Sequence, residues 1–227
     1  MLSRNKIYRK VETEKDAKKI FIFCEGDREV SYFRFFKGFS SNIDIVPVPN
    51  ENGKSDPEKL LDNAKCQILG SDSEKPKLNF KEGFGDEVWF VIDTDRWNEG
   101  NKITNLKTDC KKQNRWFVAQ SNPSFEIWLY FHFHSIYPSD NDIANYASFK
   151  EYVNDKISGG FNPNKHPILF QDAIINSEGN FEVQNDQPKY FSTEVFRLAK
   201  SILPFIKDVI DTCLVEPKFS GTAINLQ

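Results

Sequence analysis

Three carboxylates carry the chemistry this sequence is equipped to do. Glu25 follows the apolar run Ile20–Cys24 (IFIFC) and is itself followed at once by Gly26. Asp93 and Asp95 follow a second apolar run, VWFVI, with Thr94 between them. In an extended segment residues two apart project to the same side, so Asp93 and Asp95 stand together just past the strand. If the two runs are neighbouring strands, their tips lie about 5 Å apart. Three carboxylates in so small a volume repel unless one keeps its proton or a divalent cation sits among them. An all-oxygen donor set suits Mg²⁺ or Mn²⁺, ions that keep several waters and recruit substrate phosphates.

Each piece alone has a plainer reading. An Asp-X-Asp after a strand is ordinarily a solvated turn, and so is a Glu-Gly. Both at the tips of apolar strands, in this order, form a far more specific signal. Gly26 then has an expected task, letting the chain turn sharply into a helix while its backbone stays close to a ligand.

The elements that must position these groups are legible in the pattern. Ile20–Cys24 reads as a buried strand, followed by a helix over 27–39. Ile43–Val48 is a second strand. Ser55-Asp56-Pro57-Glu58 is a cap, a first-turn proline and an acid, opening a helix that Gly70 closes. Val88–Ile92 is the third strand, Ile103, Leu106 and Cys110 mark a surface helix over 100–113, and Trp116–Ala119 is the fourth strand. Asn122 and Pro123 then read as the cap and first turn of a helix running to about 136. This alternation predicts an α/β fold, a parallel sheet with helices on both faces. Sites in such sheets form outside the carboxyl ends of the strands, where Glu25, Asp93 and Asp95 fall. Residues 1–19 read as a basic N-terminal segment, 20–136 as the sheet domain, and 137–227 as a loop-rich and helical C-terminal extension packed on it. Short helices are expected near 146–157 and 167–176, and a longer one from Ser192 to about 214, bent at Pro204.

Around the three acids stand residues with two readings each. Glu126, one turn into the fourth-strand helix, is a first-turn acid favoured by the helix dipole, or a further metal ligand. Asn122 is a cap or a ligand contact. Glu29 lies one helical turn beyond Glu25 and would face the same cleft. Arg28 and Arg96 can neutralise a phosphate or pair with the surrounding acids. His132 and His134, two apart on a helix, face different ways and cannot jointly chelate a metal. Amid Phe131 and Phe133 they read as packing residues, with His132 the one in reach of a substrate. His166 falls in a loop and is uninformative. Ser192 and Thr193 read as helix caps. No Walker-type glycine loop and no Gly-X-Ser-X-Gly elbow occurs, so hydrolysis of ATP by this chain is not expected.

Composition bounds the rest. The chain has 227 residues and a net charge of −3, so the overall field gives no nucleic-acid signal. Arg4, Lys6, Arg9, Lys10, Lys15, Lys18 and Lys19 form a local basic run, which is either a solvated tail or a contact for phosphate backbone. Cys24, Cys66, Cys110 and Cys213 lack metal or redox spacing and read as free thiols of a reducing cytoplasm. No signal peptide and no apolar run of membrane-spanning length is read, so a soluble, cytoplasmic chain with no membrane association is expected.

The order Glu-Gly, then Asp-X-Asp, resembles the TOPRIM domain of topoisomerases, primases and related nucleases. There the glutamate and the two aspartates bind a divalent metal and act on phosphodiesters. More narrowly, CEGDREVSYF, VWFVIDTDRWN and NPSFEIWLYFHF, in that order, resemble the RloB-like family of bacterial proteins. The residues carrying the likeness are Cys24, Glu25, Gly26, Glu29, Tyr32, Phe33, Asp93, Asp95, Asn122, Pro123, Phe125, Glu126, Trp128, Leu129, His132 and Phe133, with Ser192, Thr193, Val195 and Leu198 later. Around Glu29 the usual Thr-Glu-Pro is Arg28-Glu29-Val30. The resemblance covers about 20–200 and implies a TOPRIM-like fold, Mg²⁺- or Mn²⁺-dependent cleavage of DNA or RNA, a place in anti-phage or restriction systems, and an ABC-type ATPase as partner.

Overall fold

The computed structural model describes residues 10–50, 56–71, 73–94 and 100–215. Its centre is a five-stranded sheet. Strands β1 (Lys18–Cys24), β2 (Ile43–Val48), β3 (Glu87–Asp93) and β4 (Trp116–Asn122) are parallel, and β7 (Ser192–Thr193) joins the β4 edge antiparallel, in the order β2-β1-β3-β4-β7. The pairing register sets Cys24 against Val91 and Asp93 against Ser121, so β1, β3 and β4 end at one common edge.

The inner strands β1 and β3 are apolar on both sides through Ile20–Cys24 and Val88–Ile92 because both faces are covered. Ile20, Ile22 and Cys24 face one layer with Trp89, Val91 and Ala119. Phe21, Phe23, Val88, Phe90 and Ile92 face the other. The second layer is closed by Leu60, Leu61, Ala64 and Ile68 of α2 (Pro57–Leu69) and by Ile103, Leu106 and Cys110 of α3 (Lys102–Lys111). The first layer is closed by α1 (Asp27–Arg34), by α7 (Phe170–Gly179) and by α8 (Val195–Val215). This is the α/β sandwich that the alternating pattern predicts.

Local signals explain most boundaries. Asp56 caps α2 by accepting from the Glu58 backbone N–H at 2.9 Å, Pro57 opens it, and Gly70 at φ 80° ends it. In α8 the buried residues Val195, Leu198, Ala199, Ile202, Ile206, Ile210 and Cys213 recur three and four apart, so one stripe of the helix packs into the sheet's core. The helix runs on through Pro204, whose side chain is exposed.

Several expectations are corrected. The first helix stops at Arg34 rather than 39, and the residues after it continue as turns that bury Phe35, Phe36 and Phe39. Helix α4 (Glu126–Tyr130) has five residues rather than a run to 136, and the Asn122–Pro123 bond before it is cis. Asn122 belongs to β4 and is not the helix cap; its side chain donates to the Pro188 carbonyl at 2.8 Å. Ser192 and Thr193 pair with β4 as a strand, although Thr193 Oγ1 does accept from the Val195 backbone N–H at 3.2 Å. Lys18 and Lys19, counted in the basic run, lie in β1, where Lys18 pairs with Glu87 at 2.7 Å. Arg4, Lys6 and Arg9 lie outside the described residues. Cys24, Cys110 and Cys213 are buried free thiols, and no helix among the described residues is long and apolar enough to cross a membrane.

Candidate functional site

The strand ends bring the first two acids together directly. The backbone N–H of Glu25 donates to Val91 at 3.2 Å, extending the β1–β3 ladder one residue past β1. Glu25 Oε2 in turn accepts from the Asp93 backbone N–H at 3.0 Å. Asp93 Oδ1 accepts from the Phe125 backbone N–H at 2.8 Å, which ties the third strand's tip to the entry of α4. Thr94 anchors the start of the Asp-X-Asp segment. Its backbone N–H reaches the carbonyls of Ser121 and Pro123, and its hydroxyl donates to Ser121 at 2.8 Å. Asp95 and Arg96 lie outside the described residues.

Glu29, one turn into α1, is 5% exposed, and its Oε2 has no hydrogen-bond partner among the described residues. Burial, helped by the negative charges of Glu25 and Glu126, pushes its carboxyl up to about 7. Gly26 is extended, at φ −139° and ψ 175°, a conformation open to any residue. The expected sharp turn is therefore not its reason for being glycine. A Cβ there would stand 3.1 Å from Glu29 Oε2, so glycine leaves room for the buried carboxylate.

Glu126 faces the same group but is engaged on both oxygens. Arg28 donates to Oε1 at 2.6 Å and Ser124 to Oε2 at 2.6 Å. Burial works against its charge, yet the Ser124 hydroxyl and the Arg28 guanidinium outweigh burial and hold the carboxyl below its usual range. Arg28 also reaches Asn154 at 3.0 Å, on α6 (Phe149–Lys156). Four acids thus converge on the carboxyl edge, one unpartnered at an oxygen and one neutralised by an arginine. Among the described residues no three His, Cys, Asp or Glu side chains are already arranged as a metal site; Asp95, the expected third member, is not among them.

His132 is placed elsewhere. It is 1% exposed, accepts from the Tyr32 hydroxyl at Nε2 (2.9 Å) and donates from Nδ1 to the Trp128 carbonyl (3.0 Å). Burial depresses it to about 3, so it stays neutral and packs the aromatic core with Tyr32, Trp128 and Phe161. Two residues that position the site were not singled out from sequence. Ser124 had a signal, two residues before Glu126 in the same short run. Asn154 had none, because its contact with Arg28 joins segments 126 residues apart.

Two cavities open near the carboxyl edge of the sheet. One, of about 240 Å³, is lined by Asp27, Arg28, Ser31, Tyr32, Leu129 and Phe161. The other, of about 260 Å³, runs from Thr94 and Asn122 to a hairpin built by β5 (Val183–Gln184) and β6 (Gln187–Pro188).

Comparison with curated proteins and with solved structures returned no match. The family model described as RloB-like protein matches residues 20–202, a span that contains the sheet, the acids at its carboxyl edge and the first part of α8. The chain belongs to the RloB-like protein family.

Proposed function

We propose that the chain is a TOPRIM-like nuclease of anti-phage defence that cleaves phosphodiesters with Mg²⁺ or Mn²⁺. One observation carries this: Glu25 and Asp93, from adjacent parallel strands, share a hydrogen bond at the carboxyl edge of the sheet, with the buried, orphaned Oε2 of Glu29 beside them. A hard divalent cation fits that donor set, since oxygens alone surround it and negative charge is in excess. Glu25, Asp93 and Asp95 would hold the ion. When bound, such an ion polarises a phosphoryl group and generates a water nucleophile near neutral pH.

The chain's own groups do the positioning. The Phe125 backbone N–H fixes the Asp93 carboxylate, and the Asp93 N–H fixes that of Glu25. Glu25 would serve as ligand or as general acid and base for the leaving oxygen. Glu126 holds Arg28 at the rim, where the guanidinium can meet substrate phosphate. The test is cleavage of DNA and RNA by purified protein with Mn²⁺. Glu25→Gln and Asp93→Asn should each abolish cleavage with the fold intact. Full cleavage by both variants removes the assignment.

The Arg28–Glu126 ion pair favours a second reading in one respect. It neutralises one acid of the group with the chain's own cation, as a latent or non-cleaving module working with an ABC-type ATPase would do. Cleavage that appears only when that partner is added supports a latent nuclease; tight partner binding with no cleavage under any condition supports the module.

A further inference from the structure

We propose that the cavity between Thr94 and the β5–β6 hairpin is a pocket for one unpaired nucleobase, which makes single-stranded nucleic acid the substrate class. The proposal rests on the nuclease function above and names its substrate. The cavity, about 260 Å³, is near the lower limit of small-ligand pockets and holds a single planar group rather than a helix. Its walls are rich in side-chain amides: Asn122, Gln184, Asn185 and Gln187. Each amide offers both a donor and an acceptor, the complement of a base's Watson–Crick edge. Tyr190 completes the wall and is 49% exposed, with its ring centroid 4.1 Å from that of Phe191 and tilted 43° to it. A half-exposed aromatic ring in a pocket wall is a stacking platform for a splayed base. Lys189 joins the lining, paired with Glu182 at 2.7 Å.

The pocket is built, not incidental. Asn185 and Asp186 both take positive φ, 53° and 59°, so the two-residue hairpin loop has the backbone twist that locks β5 and β6. Gln120, fully buried in β4, reaches Thr94 Oγ1 at 2.7 Å and Gln187 Oε1 at 3.3 Å, while its own Oε1 lacks a partner among the described residues. The Gln120 amide N–H group thus ties Thr94 to Gln187 and braces two residues of the wall. Thr94 directly follows Asp93, so the pocket opens at the same carboxyl edge of the sheet as the acids. A duplex keeps its bases stacked and cannot deliver one without unpairing it.

The experiment measures anisotropy of labelled single-stranded and duplex oligonucleotides of one sequence, in chelator so that no cleavage occurs. Wild-type protein should bind the single strand more tightly. Tyr190→Ala should weaken it roughly five-fold or more, with Tyr190→Phe close to wild type and all melting temperatures alike. Equal binding of both forms, preference for the duplex, no binding, or unchanged binding by Tyr190→Ala overturns the pocket. Cleavage that survives Glu25→Gln and Asp93→Asn, with Tyr190-dependent binding intact, removes the nuclease centre and leaves the pocket standing.

Discussion

Replacing Glu29 by Gln tests the buried acid group without requiring activity. Glu29 has an ordinary carboxyl value of 4.5 when the chain is unfolded and about 7 when folded. Between those values the unfolded chain binds fewer protons than the folded one, so its contribution to stability falls as pH rises through that window. That difference amounts to about 3 kcal/mol once the folded group is fully ionised. Gln keeps the shape and cannot ionise, so Glu29→Gln should equal wild type near pH 4.5 and exceed it by about 3 kcal/mol at pH 8.5 in chelator. For a chain of this size that is roughly 6–12 °C in melting temperature. Comparing variant with wild type isolates Glu29 from His132, whose depressed value of about 3 gives the opposite slope, a loss of stability as pH falls below the usual histidine range. Mn²⁺ should narrow the gap at pH 8.5 by stabilising wild type. A variant-minus-wild-type difference that stays flat between pH 4.5 and 8.5 would refute the reasoning.

Other expected outcomes follow from the packing. Tyr32→Phe strands the buried Nε2 of His132 and should cost about 1–3 kcal/mol in urea unfolding. Arg28→Ala leaves Glu126 buried with Ser124 alone; it should cost about 1–3 kcal/mol at neutral pH and less in acid, once the carboxylate is protonated. Ile206→Ala should cost about 2–5 kcal/mol in one cooperative transition, since α8 shares the core of the first sheet layer. Two separate transitions would instead show that residues 195–215 fold apart from the sheet.

The sheet was legible because Ile20–Cys24 and Val88–Ile92 are unbroken apolar runs and α2 opens on a clear cap, Asp56-Pro57. Ile43–Val48 and Pro57–Leu69 fall where Pro47, Pro57 and Gly70 punctuate the chain. The helix after β4 was over-read because Ile127 to Phe131 is apolar and aromatic throughout. Such a run carries no helical period of its own, and tertiary packing against Tyr152 and Phe161 decides its shape. Asn122 looked like a cap since Asn-Pro is a common helix opening; pairing with Ser192, 70 residues away, claimed it for the strand. At the site, Glu25 and Asp93 were readable from spacing, and their joint hydrogen bond follows from the β1–β3 register. Burial of Glu29 and of Gln120 was not, because both depend on which distant side chains surround them.

The most direct test of a divalent-metal centre is anomalous scattering from a crystal soaked in Mn²⁺. A peak bonded to the carboxylates of Glu25 and Asp93, and lost in Asp93→Asn, is the predicted result. Strong Mn²⁺ peaks elsewhere with none between those two residues would contradict it.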